Sequence, residues 1–141
     1  MTFNYITKPI QKLKADYSRR KQRGLNSFQD FADFEDWYNT QDKKCYYCGL
    51  KESESQEIVM HELLKSNRFP QKGKLERGKS RGMWLEVDRL SPKENYSRTN
   101  CVLCCYFCNN DKSDVFHGNE YKKFMKDRLG YLRHTLDRKN I

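Results

Sequence analysis

Residues 85–90 read Leu85-Glu86-Val87-Asp88-Arg89-Leu90, and residues 100–113 read Asn100-Cys101-Val102-Leu103-Cys104-Cys105-Tyr106-Phe107-Cys108-Asn109-Asn110-Asp111-Lys112-Ser113. Alternation from Met83 to Leu90 predicts a strand, with Met83, Leu85 and Val87 on one face and Trp84, Glu86 and Asp88 on the other. Asn100 to Cys104 reads as a second short strand and Tyr106 to Ser113 as a helix. The pair Cys105-Tyr-Phe-Cys108 answers an earlier one, Cys45-Tyr46-Tyr47-Cys48, which is followed by the turn-permitting Gly49. Two such knuckles supply four thiolates, the ligand set of a closed, tetrahedral structural zinc. Cys101-Val-Leu-Cys104 has the same spacing, but on a strand its two thiols point to opposite faces and are poorly placed to share an ion. They read instead as small buried hydrophobes. A thioredoxin-like redox pair is the alternative, without the βαβ pattern that would support it.

Working outward, the chain has 141 residues, of which 36% are hydrophobic and 33% charged, with mean hydropathy −1.07. That allows one compact domain with a thin core, for which a metal staple is a common remedy. No stretch approaches the ~20 apolar residues of a membrane span, and residues 1–14 lack the apolar run of a secretory signal. A cytoplasmic location is expected, where six cysteines argue for metal or reduced thiols rather than disulfides. Twenty-eight Lys and Arg against nineteen Asp and Glu give a net charge of +9, falling to about +7 with zinc on four thiolates. Such a surplus favours a polyanionic partner.

The charge is segregated. Residues 8–23 hold seven Lys and Arg, among them Lys12, Arg19 and Arg20, against Asp16 alone. Residues 24–42 hold five acids and no Lys or Arg. Residues 68–82 carry Arg68, Lys72, Lys74, Arg77, Lys79 and Arg81 against Glu76, with three glycines and a proline that argue for a loop. Helical spacing predicts a helix from Lys8 to Arg23, stopped by Gly24. A second, capped by Ser27, carries Phe28, Phe31, Phe34, Trp37 and Tyr38 as a core stripe. A third covers Gln56 to Lys65. The last covers residues 119–138, with an apolar face of Tyr121, Phe124, Met125, Leu129, Leu132 and Leu136 that could also serve a dimer.

Over residues 83–116, and back to Cys45 through the first knuckle, the sequence resembles the HNH endonucleases with the ββα-metal fold. The ordered residues are Asp88, Asn100, Cys105, Cys108, Asn109 and Lys112. The Val-Asp-Arg strand resembles a branch found among phage HNH proteins and rare-cutting HNH restriction enzymes. The resemblance implies an α+β fold: a zinc-stapled ββα-metal (HNH/His-Me finger) core at residues 45–117. A basic and acidic helical extension at 1–44 and a C-terminal helix at 118–141 would flank it, all in one compact domain. It implies metal roles for Asp88 and Asn109, and a supporting role for Asn100 in holding the loop between the strands. A carboxylate and an amide oxygen suit hard Mg²⁺ or Mn²⁺, with water and phosphate completing the shell.

The family's general-base histidine would stand at position 89, which here is Arg89. Arginine cannot accept a proton, although it can clamp a phosphate bidentately. Tyr96 is the preferred substitute base, provided Arg89 and the metal lower its pKa. His61, His117 and His134 are further candidates, and metal-bound hydroxide or a dead site stay open. The resulting expectation is a metal-dependent HNH endonuclease cutting double-stranded DNA in a bacterial or phage-infected cell. Lys12, Arg19, Arg20, Lys72, Lys74, Arg77, Lys79, Arg81 and Lys112 would contact the nucleic acid. One site cuts one strand, so a double-strand cut would call for a homodimer. The alternative is a non-catalytic zinc-containing nucleic-acid-binding module.

Overall fold

In the computed structural model, residues 4–125 and 127–138 are described. Residues 1–3, 126 and 139–141, which fall within the spans 1–44 and 118–141 above, lie outside the described residues. The element order is α1 (Ile10–Gln22), α2 (Phe31–Thr40), α3 (Glu52–Met60), β1 (Glu86–Arg89), β2 (Cys101–Cys104), α4 (Tyr106–Lys112), α5 (Gly118–Lys123) and α6 (Arg128–Asp137). β1 and β2 pair antiparallel, with Glu86 opposite Cys104 and Arg89 opposite Cys101, and α4 follows at once. The predicted strands and α4 stand where the sequence placed them, shortened at their ends. No helix among the described residues is long and apolar enough to cross a membrane.

Helix boundaries shift where local hydrogen bonds win over pattern. α1 ends at Gln22 because Gly24 takes φ +72°, the left-handed conformation that closes a helix. α2 is capped by Asp30, whose carboxylate accepts from Asp33 N–H at 2.8 Å, and not by Ser27. Ser27 N–H is spent on Tyr96 C=O at 2.8 Å, which ties this segment to the loop between the strands. Phe28 therefore lies outside the helix. α3 begins four positions earlier than Gln56. Glu54 reaches back to Lys51 N–H at 3.0 Å, and the buried Glu52 carboxylate accepts from Leu85 N–H at 2.8 Å. It stops at Met60, because Leu63 N–H turns back onto Ile58 C=O at 2.9 Å, with Glu62 at φ +52° between them. Leu63, Leu64 and Lys65 are not helical.

The final predicted helix is two. Tyr121 of α5 packs edge-to-face on Tyr47 and donates to Asp111. In α6, Leu132 and Thr135 are buried and Arg133 pairs with Glu54 of α3 at 2.9 Å. One straight helix cannot serve both surfaces. The apolar side of α6 is therefore spent inside the molecule, while Phe124 stays exposed.

The aromatic stripe is core, as its spacing implied. Phe34 is fully buried, with the rings of Phe28, Tyr17 and Trp37 centred 5.2, 5.5 and 5.8 Å away. One continuous cluster of buried side chains runs from Leu13 through this group to Leu132. Truncating the central ring removes its transfer energy and leaves a cavity. Phe34→Ala is expected to destabilise the fold by about 3–5 kcal/mol, measured as a lowered urea midpoint with an unchanged m-value.

Candidate active site

The loop joining β1 to β2 is organised by one buried side chain. Asn100 Oδ1 accepts from Ser91 N–H at 2.9 Å, and Nδ2 donates to the carbonyls of Ser91, Glu94 and Asn95 at 3.0–3.2 Å. This is loop-holding geometry, and it is local enough for the sequence to have signalled it.

Next to the hairpin, Cys45, Cys48, Cys105 and Cys108 bring their sulfurs within 4.8 Å of one another. Zn–S bonds of about 2.3 Å imply tetrahedral S···S edges of about 3.8 Å. Cys48 and Cys105 stand at 3.8 Å, so the donor set fits a structural zinc. In each knuckle the second cysteine's N–H points at the first one's sulfur at 3.5 Å, favouring the thiolate. Hydrogen bonds from Cys105, Cys108 and Cys48 hold the Cys45 thiol far below its ordinary range, while Cys105 is pushed up. Cys101 and Cys104 stand outside the cluster. Burial raises the Cys101 thiol to about 12 and raises Cys104 as well, the behaviour of inert core thiols rather than a redox pair.

The polar face of β1 looks onto α4. Glu86 Oε1 accepts from Asn109 Nδ2 at 2.7 Å, and its carboxylate is gripped bidentately by Arg81 at 2.7 and 2.9 Å. A carboxylate only accepts, so it faces the amide nitrogen and turns Asn109 Oδ1 elsewhere. Asp88, 8% exposed, takes two donors on the same oxygen: Oδ2 accepts from Tyr47 O–H at 2.5 Å and from Lys112 Nζ at 3.1 Å. Asp88 Oδ1 and Asn109 Oδ1 accept no hydrogen bond among the described residues. A free carboxylate oxygen and a free amide oxygen on facing elements suit a hard divalent cation.

Lys112 corrects an expectation. It is 1% exposed, with its ammonium held by Asp88 and by Arg89 C=O at 3.1 Å, so it is a buried counter-ion and not a surface contact for nucleic acid. Residue type and position alone did not reveal that its stem is enclosed. Glu86 and Tyr47 are the residues the sequence reading missed, while Arg81, expected at the nucleic acid, is here ion-paired to Glu86. Glu86 carried a signal, since it shares the strand face of Asp88 two positions away. Tyr47 carried none.

Arg89 leaves β1 on the other side. It donates to Glu94 C=O at 3.3 Å and stacks over Tyr96 at 4.9 Å, where Arg20 of α1 stacks at 5.1 Å. Two guanidinium groups favour a phenolate, but burial outweighs them, and the Tyr96 phenol is pushed up from its ordinary value. The lowered pKa expected of a tyrosine base is therefore not what its surroundings provide. His117 caps α5, its Nδ1 accepting from Asn119 N–H at 3.1 Å. His61 stands at the end of α3 and His134 is exposed on α6.

A groove of about 830 Å³ opens beside this unit. Lys12, Arg19 and Arg20 of α1 and Arg77 and Arg81 of the glycine-rich loop line it, together with Glu86, Tyr96 and Asn109. The two basic stretches, far apart in sequence, thus converge on one concavity. Lys72, Lys74 and Lys79 lie on the same loop away from its lining.

No protein-family model and no curated protein matches the chain. Among solved structures it is similar to the rare-cutting HNH restriction endonuclease PacI, with a TM-score of 0.62. Identity is 24%, and the alignment covers 86% of this chain and 75% of that one. The fold is that of an HNH endonuclease. The hairpin, the following helix and the cysteine cluster lie within that fold; Asp88 stands on β1, Asn100 directly precedes β2 and Asn109 stands on α4.

Because the cluster joins distant segments through thiolates alone, metal and fold should be linked. Purified protein is expected to hold one zinc per chain by elemental analysis. Extraction with a strong chelator under denaturant should prevent refolding, followed by circular dichroism, until zinc is returned. A chelated, metal-free chain that melts like the untreated protein would remove the staple.

Proposed function

We propose that the chain is a divalent-metal-dependent endonuclease of the HNH type that hydrolyses phosphodiester bonds in double-stranded DNA. One observation carries the reading. Asp88 on β1 and Asn109 on α4 each have one polar atom pinned by neighbouring side chains and one oxygen left free, within an HNH fold. A simple binding module needs no such pair. When bound by those oxygens, Mg²⁺ or Mn²⁺ would supply positive charge to the scissile phosphate and its leaving oxygen.

The remaining roles fall to the chain itself. Arg89, stacked on Tyr96 and anchored to Glu94 C=O, presents a planar guanidinium suited to a phosphate. Tyr96 serves as the platform on which Arg89 and Arg20 stack rather than as a base. The groove lined by Lys12, Arg19, Arg20, Arg77 and Arg81 binds backbone phosphates, which positions the duplex without reading its sequence. Zinc on Cys45, Cys48, Cys105 and Cys108 is structural.

Plasmid nicking in Mg²⁺ at low salt tests this. Asp88→Ala and Asn109→Ala should each lose at least about 100-fold in rate, the upper end of what loss of a metal ligand's partner costs. Tyr96→Phe should stay close to wild type, because the ring and not the hydroxyl is used, whereas Tyr96→Ala should be slow. Nicking by Asp88→Ala and Asn109→Ala at the wild-type rate would sink the assignment. Salt-sensitive DNA binding without cleavage in any divalent metal would favour the binding-module reading instead.

A further inference from the structure

We propose that Tyr47, a spacer residue of the first cysteine knuckle, is a positioning residue for Asp88 that couples the cysteine cluster to the candidate metal site. The proposal rests on the endonuclease reading above and deepens it.

The knuckle is fastened to the strands by its backbone. Tyr46 N–H donates to Leu103 C=O at 2.9 Å, and Cys45 N–H donates to Leu50 C=O at 2.7 Å. Leu103 in turn pairs with Val87, the neighbour of Asp88. Between the two cysteines, the Tyr47 ring is buried edge-to-face against Tyr121 at 5.2 Å and Tyr46 at 5.4 Å. With its ring wedged, a tyrosine has little freedom left, so its hydroxyl stands at a set point.

That hydroxyl meets Asp88 Oδ2 at 2.5 Å. A carboxylate turns readily about its last torsion, which is broad and has no sharp staggered wells. Lys112 alone does not stop this, because an ammonium has rotatable donors and this one is shared with Arg89 C=O. A second donor on the same oxygen, arriving from a different element, fixes the carboxylate plane and keeps Oδ1 free. Gly118 supports the contact from the far side. A Cβ there would lie 2.7 Å from the Tyr47 hydroxyl oxygen and 2.7 Å from Leu90 Cδ2, so only glycine leaves room for both. Residues that hold a metal ligand in this way tune affinity as strongly as many ligands do.

The test uses zinc-loaded full-length protein and Mn²⁺ binding followed by electron paramagnetic resonance, so that it does not depend on cleavage. Tyr47→Phe keeps the ring and removes only the hydroxyl. It should retain the wild-type zinc content and bind Mn²⁺ about tenfold more weakly or worse, with the half-saturating Mg²⁺ for nicking raised in parallel. Wild-type Mn²⁺ affinity in Tyr47→Phe overturns the proposal while leaving the endonuclease reading intact. Mn²⁺ binding by Asp88→Ala equal to wild type overturns the metal assignment beneath it, and the proposal with it. Should Tyr47→Phe lose zinc, Gly118→Ala displaces the hydroxyl without deleting it. Undiminished Mn²⁺ affinity in zinc-replete Gly118→Ala then overturns the proposal.

Discussion

Four sulfurs gathered within 4.8 Å tie residues 45–48 to residues 105–108, and most of the molecule is arranged around that tie. The first knuckle bonds β2 through Leu103, and the second knuckle opens α4. A two-stranded sheet is at best marginal in water, and a seven-residue helix is shorter than the length at which isolated helices persist. An ion shared by those four sulfurs would hold the three pieces together in a chain that is only 36% hydrophobic. The aromatic group around Phe34 supplies the remainder by closing α1 and α2 over the loop between the strands.

Charge is handled differently on the two sides of β1. Toward α4, Asp88 with Lys112 and Glu86 with Arg81 are paired before any ligand arrives, which places carboxylates in a semi-buried setting at limited desolvation cost. Away from α4, Arg89 stacks on Tyr96 and donates to Glu94 C=O, Arg20 stacks on Tyr96 and Phe34, and several basic side chains line the adjoining groove. The surplus of positive charge is therefore concentrated where a polyanion would lie, beside rather than within the acidic pair.

Much of this site was legible in the chain because it depends on spacing. Cys-x-x-Cys in a tight turn or at a helix start, unlike the same spacing on a strand, brings both sulfurs to one side, and strand alternation puts Glu86 and Asp88 on a common face. Asn109 directly follows a knuckle cysteine, so its placement follows from that of the sulfurs. The helix ends were less legible. Asp30 displaced Ser27 as a cap, and the Leu63 N–H turned α3 off early, each through a hydrogen bond that pattern does not reveal. The last helix broke because Tyr121 and Leu132 answer to different neighbours.

By itself, the sequence determined the hairpin, the helix after it, the four sulfurs and the order of Asp88, Asn100 and Asn109, since each rests on side-chain periodicity, on residue spacing or on a ligand's fixed geometry. Only the tertiary structure decided which oxygen of Asp88 is taken, that Lys112 is a buried counter-ion, that Glu86 orients Asn109, and that two basic stretches share one groove. Those outcomes depend on burial and on partners distant in the chain, 23 positions for Glu86 and Asn109 and 41 for Tyr47 and Asp88. Spacing along the chain carries no information about either.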